Sequence, residues 1–256
     1  MQSTNSKIEN NNNNVFISKE TIKRLINDIK QINKNPLTDQ GIYYKHDEVD
    51  MLKGYAMIIG PKDTPYEGGY YLFMFKFPTN YPFSPPKVEF CTGDGKTRFN
   101  PNLYVSGKVC VSILNTWAGE QWSGCQTISS VLLTLCTLLC DRPLLNEPGI
   151  AEDNINVHDY SQIITYRNIE VAILGMVSKT HLPLHKFDAF HDIMIDLFKK
   201  DYNNLVNRIE KNIRLFPNIT TIDLHLYQPG LRFVSLNYIE LLENIKQFYS
   251  TLLTVE

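Results

Sequence analysis

The sequence lacks the features that mark several protein classes. It has no apolar run near the roughly 20 residues that a membrane-spanning helix requires, and residues 1–5 lack the charged and then apolar pattern of a signal peptide. Its 25 Lys and Arg are balanced by 27 Asp and Glu, a net charge of −2, so the positive excess that favours nucleic acids or acidic membranes is missing. We therefore expect no membrane and no nucleic-acid partner, and a cytoplasmic location with the nucleus left open (the host cytoplasm for a viral protein).

The five cysteines form neither a disulfide framework nor a zinc pattern. Their number is odd, and no paired Cys-x-x-Cys or His-x-x-x-His set offers four zinc ligands. This usage favours a reducing compartment, and we expect no metal and no cofactor. Cys91 ends a predicted strand, and Cys136 and Cys140 lie four apart in an apolar helix, so core packing is expected for all three. Cys125 lies in a polar segment and is expected to be exposed.

Glycine and proline are concentrated in the first 150 residues. Eleven of the 13 glycines lie within residues 41–149, and ten of the 13 prolines lie within residues 36–148. This distribution predicts a turn-rich α+β part followed by a helical C-terminal third. Residues 1–15 contain an asparagine run and are predicted to be a disordered tail.

Hydrophobic periodicity predicts the order of the elements. A helix at residues 18–35, with Ser18 as its N-cap, comes first. Four β-type runs separated by turn signals predict an antiparallel meander: residues 41–46, 52–59, 70–77 and 87–91. Further helices are predicted in four places: residues 127–140, 158–177, 186–214 and 236–253.

The segment from residue 98 to residue 114 carries the candidate chemistry. Ser106-Gly107 is a two-residue turn signal between short β-type runs, and a reversal there returns Cys110 to the neighbourhood of Leu103 and Asn102. A thiol beside a carboxamide can attack a thioester while the amide hydrogen-bonds the resulting oxyanion. A buried structural cysteine is the alternative role for Cys110, because free cysteine is among the most buried residue types.

The residues near Cys110 in the sequence also limit the type of reaction that it could carry out. None of the six histidines lies near Cys110 in the sequence. A cysteine hydrolase requires a neighbouring base, whereas an ordinary thiol reacts unaided with an activated thioester. The pattern therefore favours acyl transfer between thiols over hydrolysis.

The same segment resembles the active site of ubiquitin-conjugating enzymes. Their signature is His-Pro-Asn, then Tyr and Gly, with the catalytic cysteine eight residues after the Asn, and Cys110 stands eight residues after Asn102. The proline-rich residues 81–88 and the Trp122-Ser123 pair also match. The resemblance covers residues 16–178 and implies the ubiquitin-conjugating fold, an α+β arrangement of an N-terminal helix, a four-stranded antiparallel meander and further helices. Residues 179–256 would be a helical C-terminal extension.

One difference from the family signature indicates a particular type of ubiquitin-conjugating enzyme. Asn100 stands where the family usually has the His of its triplet. Three further features are similar to the Z-type conjugating enzymes and to the related domain of the giant inhibitor-of-apoptosis conjugating enzymes: Trp117, the extended loop at residues 115–121, and Asn-Glu-Pro-Gly at residues 146–149. The helical part after Ser178 is similar to the Z-type tail.

The resemblance implies a role for each matched residue. Cys110 would accept ubiquitin, or a ubiquitin-like modifier, as a thioester from an activating enzyme and pass it to a substrate lysine or a ligase. Asn102 would stabilise the oxyanion, and a structural turn residue is its alternative role. Three matched residues would shape the loop: Asn100, Pro101 and Tyr104. A residue after the second helix would orient the incoming lysine, and three positions remain open: Asp141, Asn146 and Glu147.

Partner surfaces follow from the resemblance as well. Basic residues of the first helix would meet the ubiquitin-activating enzyme: Lys19, Lys23 and Arg24. Phe83 and Ser123 match the two loops that contact a ubiquitin ligase, and a core position is the alternative for Phe83. The second loop reads Ser-Gly-Cys instead of Ser-Pro-Ala, which predicts a looser loop and casts doubt on ordinary ligase binding. An inactive ubiquitin- or protein-binding module of the same fold is the alternative function.

Overall fold

The computed structural model describes residues 16–183, 186–224, 226 and 231–254. The predicted tail at residues 1–15 lies outside these residues. The first element is helix α1 (Lys19–Lys34), and Ser18 caps it as predicted, since its hydroxyl accepts a hydrogen bond of 3.0 Å from the Thr21 N–H. Thr21 in turn donates its hydroxyl to the carbonyls of Thr79 and Tyr81, which ties α1 to the proline-rich segment.

Four strands form one antiparallel sheet in chain order, which confirms the predicted meander. Their bounds lie within two residues of the predicted ones: β1 (Ile42–His46), β2 (Lys53–Ile59), β3 (Tyr70–Lys76) and β4 (Lys87–Phe90). The strands are rich in aromatic and β-branched side chains, which pack well on a pleated surface. The fold is therefore the α+β arrangement that the sequence predicts.

Strand β3 is buried on both faces of the sheet. Adjacent side chains on a strand point to opposite faces, and two adjacent tyrosines have partners on different elements. The Tyr70 hydroxyl donates to the Met194 carbonyl at 2.9 Å, and the Tyr71 hydroxyl donates to the Asn168 side-chain oxygen at 2.6 Å. Helical segments before and after residue 178 thus cover opposite faces of this strand.

The helices follow the predicted order: α2 (Ile128–Thr137), α3 (Asn156–Arg167), α4 (Gly175–Val177), α5 (Asp188–Leu215) and α6 (Tyr238–Thr254). The predicted helix at residues 158–177 is interrupted by a π-helical segment, Asn168–Leu174, between α3 and α4. It begins at a buried carboxamide, because Asn168 accepts from Tyr71 and donates to the Glu67 carbonyl. A Cβ on Gly69 would lie 1.9 Å from the Asn168 oxygen, so only glycine permits this approach.

The extension contains one feature that the sequence analysis did not predict. Strands β5 (Thr220–Ile222) and β6 (Val234–Leu236) form a two-stranded antiparallel ribbon. Residue 236, predicted as the start of the last helix, belongs to β6 instead. Three-residue strands are too short to show a period, which is why the pattern missed them. No helix within the described ranges is long and apolar enough to cross a membrane.

Helix α5 docks on the conjugating core through Arg208. Its guanidinium donates to the Glu67 carbonyl at 2.8 Å and to the Asp201 carboxylate at 3.1 Å. The rings of Tyr55 and Phe187 also meet edge to face, with centroids 5.5 Å apart. The extension therefore shares its packing with the core, while the predicted division at residue 178 into separate parts stays a prediction.

We expect Arg208→Ala to lower the free energy of unfolding by about 1–2 kcal/mol, because it removes charge-assisted hydrogen bonds that are only partly exposed. Chemical denaturation followed by circular dichroism measures the change. Arg214→Ala is the matched control, since Arg214 is exposed on the same helix and its loss should cost about 0.5 kcal/mol or less. Equal losses in the two variants would contradict the docking role of Arg208.

Candidate active site

The chain reverses between residues 104 and 108, as the sequence predicts, but the turn is displaced by one residue. The Tyr104 carbonyl accepts the Gly107 N–H at 2.9 Å, and the Tyr104 N–H donates to the Lys108 carbonyl at 2.9 Å. Val105 and Ser106 are therefore the central residues, and Gly107 follows with φ of +85°. A Cβ at residue 107 would lie 3.0 Å from the Phe90 carbonyl oxygen, so glycine is required there for space as well as for conformation.

This reversal places Cys110 directly beside Asn102. The Cys110 N–H donates to the Asn102 carbonyl at 2.9 Å, and the Asn102 side-chain Nδ2 donates to the Cys110 carbonyl at 2.6 Å. Both residues are buried, with exposed fractions of 1% for Cys110 and 8% for Asn102. A thiol and a carboxamide donor thus share one short two-stranded segment.

Asn100 is fully buried and connects three segments around this pair. Its Nδ2 donates to the Leu138 carbonyl at 2.7 Å and to the Tyr66 hydroxyl at 3.0 Å. Its Oδ1 accepts the Asn102 N–H at 2.9 Å. The side chain therefore fixes the position of Asn102 relative to the end of α2 and to the loop after β2.

Arg98 also contacts the segment of residues 101–104. Its guanidinium donates to the Pro101 carbonyl, lies 4.0 Å from the centre of the Tyr104 ring, and has a nitrogen 3.7 Å from the Glu147 carboxylate. Cation–π stacking of this kind orients both groups. The sequence analysis did not single out Arg98, and its position immediately before the Phe-Asn-Pro-Asn segment is the signal that could have indicated it.

Residues 24–162 match the family described as ubiquitin-conjugating enzyme. The chain belongs to the ubiquitin-conjugating enzyme family. The match includes α1 from residue 24 onward, the whole sheet, the turn and the cysteine described above.

Three relatives narrow the comparison. A ubiquitin-conjugating enzyme E2 Z from Xenopus tropicalis is 40% identical over 190 residues, which are 73% of this chain and 59% of that protein. The E2 Z of Homo sapiens is 44% identical over 161 residues, 62% of this chain and 45% of that protein. A probable ubiquitin-conjugating enzyme protein 17 from Caenorhabditis elegans is 44% identical over 140 residues, 51% of this chain and 19% of that protein. The similarity to the Z type is thus confirmed, and the chain spans about half the length of the E2 Z relatives.

The structure separates the three positions left open for the residue after α2. Asn146 lies nearest to the central network, with its Nδ2 3.5 Å from the Asn100 oxygen. Glu147 faces Arg98, whereas Asp141 is exposed and lies 3.6 Å from Arg142. Asn146 and Glu147 therefore contact the residues that shape the site, whereas the one recorded side-chain contact of Asp141 is with the neighbouring Arg142.

The segment after Cys110 is held by the side-chain hydrogen bonds of Thr116 and Asn115, which together form what we call the polar clasp. The Thr116 hydroxyl accepts the Val111 N–H and donates to the Val111 carbonyl, both at 3.0 Å. The Asn115 side chain accepts the Trp122 N–H at 2.8 Å. The extended loop of residues 115–121, a Z-type feature, is thereby folded back against the residue that follows the cysteine.

The residues predicted to contact partner proteins differ in their exposure. Phe83 is 78% exposed, and Lys19 and Lys23 are exposed on α1. Arg24 is half-buried, because its guanidinium binds Asp28 and the carbonyls of Gly124 and Gln126. The role of these residues toward partners stays a prediction, but Arg24 is already engaged within the chain.

The loop that contains Ser123 is more constrained than its missing proline suggests. Arg24 binds the carbonyls on both sides of Cys125, and the Trp122 indole N–H donates to the Pro82 carbonyl at 2.7 Å. These hydrogen bonds replace the restriction that a proline would impose. The looser loop expected from the missing proline stays a prediction, and Ser123 is exposed as a contact residue would be.

The other four cysteines have different surroundings from Cys110. Cys125 is exposed as expected. Cys91, Cys136 and Cys140 are half-buried rather than fully packed in the core, because each lies at the end of an element or at the edge of its apolar face. Burial raises the pKa of the Cys91 thiol to about 12 and also raises the pKa of the Cys136 and Cys140 thiols. Such thiols remain protonated and are poor nucleophiles.

We expect Asn100→Asp to lower the free energy of unfolding by about 2–4 kcal/mol. The carboxylate keeps the shape of the amide but has no N–H for the Leu138 carbonyl or the Tyr66 hydroxyl. The Tyr66 hydroxyl keeps its hydrogen bond to the Phe99 carbonyl, so the loss comes from the Leu138 carbonyl, at about 1–3 kcal/mol, and from the buried charge placed beside it. Thermal and chemical denaturation measure the change. Asn27→Asp is the control, because Asn27 is exposed on α1. A comparably small loss in both variants would refute the central role of Asn100.

Proposed function

We propose that the protein is an active conjugating enzyme that carries ubiquitin, or a ubiquitin-like modifier, as a thioester on Cys110. The observation that supports this most is the pairing of Cys110 with Asn102 through two hydrogen bonds, at the spacing of the family's active site. In the loading step the Cys110 sulfur attacks the modifier's carbonyl on the activating enzyme. A new C–S bond forms, the old C–S bond breaks, and the activating enzyme's thiol leaves with the proton.

The second step transfers the modifier to a substrate lysine or to a ligase cysteine. The lone pair of the lysine amine attacks the thioester carbon, the C–N bond forms, the C–S bond breaks, and Cys110 leaves as a thiolate. The amine gives its proton to solvent water, from which the thiolate is reprotonated. No atom changes its oxidation state. The negative charge that develops on the carbonyl oxygen during this step requires a hydrogen-bond donor.

Asn102 has a donor available for that charge. A carboxamide nitrogen carries two N–H groups, and one of those on Asn102 binds the Cys110 carbonyl. Among the described residues, no acceptor is recorded for the second N–H. The oxyanion forms on the oxygen of the carbonyl carbon bonded to the Cys110 sulfur, and the proposed role of the second Asn102 N–H is to donate to that oxygen.

The proposed partners follow from the exposed residues of the two recognition surfaces. Lys19 and Lys23 would meet the activating enzyme, and Phe83 with Ser123 would meet a ligase, while protein substrates would approach the cysteine. The proposed location is the cytoplasm, with the nucleus left open. The inactive binding module gains no support from a particular contact, since the Cys110 and Asn102 pair is intact.

We expect the protein to form a reductant-sensitive adduct, one ubiquitin heavier, when it is incubated with ubiquitin, ATP and a panel of activating enzymes. Cys110→Ala should abolish the adduct, and Cys110→Ser should convert it to an oxyester that survives reductant, because an ester does not exchange with thiols. Non-reducing and reducing gels distinguish the three proteins.

Cys125→Ala is the matched control, since it removes the exposed thiol and should leave the adduct unchanged. No adduct with any activating enzyme or modifier in the panel would refute the proposed function. Loss of the adduct in Cys125→Ala would show that the thioester forms on Cys125 rather than on Cys110.

We expect Asn102→Ala to form the thioester and to transfer the modifier to lysine at a rate about 10²- to 10³-fold lower, the typical effect of removing one oxyanion donor. Single-turnover discharge to free lysine measures the rate, and thermal denaturation measures folding in the same preparation. A purely structural role predicts instead that loading, discharge and thermal stability all decline together. Equal discharge rates for the variant and the parent would refute the oxyanion role.

A further inference from the structure

A cavity of about 360 Å³ lies between helix α5 and the segment that joins β2 to β3. Three parts of the chain supply its walls: residues 59–70, the π-helical segment, and residues 197–208 of α5. Its volume is at the lower end of the ~300–1,000 Å³ that is typical of small-molecule sites. The cavity is separate from the candidate active site, since no residue from 98 to 116 contributes to its lining.

The buried side chains of this lining are all apolar. They are Tyr70, Ile173, Phe198 and Leu205, and half-buried Ile59 and Leu197 extend the same surface. Tyr70 contributes its ring alone, because its hydroxyl is already bound to the Met194 carbonyl at 2.9 Å. Apolar atoms of a ligand would therefore leave water for an apolar surface, which is favourable.

The charged residues of the lining fall into two groups. Arg208 is paired with both acids, with its nitrogens 3.1 Å from the Asp201 carboxylate and 3.6 Å from the Glu67 carboxylate. The other two cations, Lys62 and Lys200, are exposed, and neither forms an ion pair within the part of the chain that the structure describes. The charge that remains available at the exposed side of the cavity is therefore positive, and it attracts an anion.

We infer that this cavity binds a small amphipathic carboxylate with an apolar tail of medium length. The tail contacts the buried apolar side chains, and the carboxylate pairs with the ammonium groups of Lys62 and Lys200. A cationic ligand finds no free acid, because Arg208 already engages both carboxylates of the lining. A neutral apolar molecule leaves the two lysines without a partner.

The position of the cavity gives such a ligand a consequence for the fold. It contacts α5 and the segment between β2 and β3 at the same time, so the bound state holds α5 against the sheet. Anything that binds only the folded state raises its stability by mass action. This inference goes beyond the proposed function, and its test requires no thioester.

The experiment titrates the full-length protein with three probes by isothermal calorimetry. Octanoate has the tail and the charge, octylammonium has the tail with the opposite charge, and acetate has the charge without the tail. We expect saturable octanoate binding with a dissociation constant on the order of 0.1–1 mM, and at least tenfold weaker binding of the other two. Octanoate at ten times its dissociation constant should raise the midpoint of thermal unfolding by about 3–5 °C.

Two variants test the two halves of the site. Leu197→Trp places a larger ring at a half-buried wall position and should weaken octanoate binding at least tenfold by filling the cavity. The double variant Lys62→Glu and Lys200→Glu should weaken octanoate binding at least fivefold, the effect of two exposed ion pairs, and should bind octylammonium more tightly than the parent does.

The double variant Lys30→Glu and Lys246→Glu is the charge-matched control. Both lysines are exposed and lie outside the cavity lining, so this variant should bind octanoate as the parent does. Thermal denaturation without ligand shows whether each variant is folded.

The inference is overturned if octanoate shows no saturable binding to the parent, or if octylammonium binds the parent equally well. It is also overturned if octanoate binds folded Leu197→Trp and the Lys62→Glu and Lys200→Glu variant as tightly as the parent, which would assign the ligand to another surface. Equal weakening in the charge-matched control would reduce the effect to net charge and would likewise overturn it.

Discussion

The arrangement of the candidate site depends on one buried carboxamide, that of Asn100. A buried polar group must have hydrogen-bond partners, and Asn100 has them on three different segments: the Leu138 carbonyl at the end of α2, the Tyr66 hydroxyl, and the Asn102 N–H. The Tyr66 hydroxyl in turn donates to the Phe99 carbonyl. Since these contacts fix Asn102, and Asn102 is paired with Cys110, the position of the thiol follows from the side chain at residue 100.

The sequence predicted those features that arise from local rules. Ser18 accepts the N-cap hydrogen bond that its position indicates, and the turn signal before Cys110 produces the reversal that brings it to Asn102. The features it did not predict depend on distant partners. The π-helical segment begins where Asn168 meets Tyr71 and Glu67, and Arg24 leaves the solvent because the carbonyls about 100 residues later accept its N–H groups. No local pattern encodes such contacts.

The extension reduces the surface of the sheet that is exposed to partners. A four-stranded antiparallel sheet can leave one face in water, but here α5 covers that face, with Tyr70 bonded to Met194 and Tyr55 packed on Phe187. The surface that remains for recognition is therefore the edge of the sheet and the loops at its ends. Exposed Phe83 and the loop with Ser123 both lie in that remaining part.

The burial of Cys110 then has a mechanistic consequence. A residue that is 1% exposed leaves little space for the carbonyl of a second protein, so the proposed loading and discharge would require a local opening. The polar clasp after the cysteine is suited to this, because the contacts of Thr116 with Val111 and of Asn115 with Trp122 are a few hydrogen bonds rather than a packed apolar core. Segments held in this way open at lower free energy than core helices and strands. Asn100 and Asn102 are held by separate hydrogen bonds to Leu138 and Cys110, so an opening of the clasp would leave the proposed oxyanion donor in place.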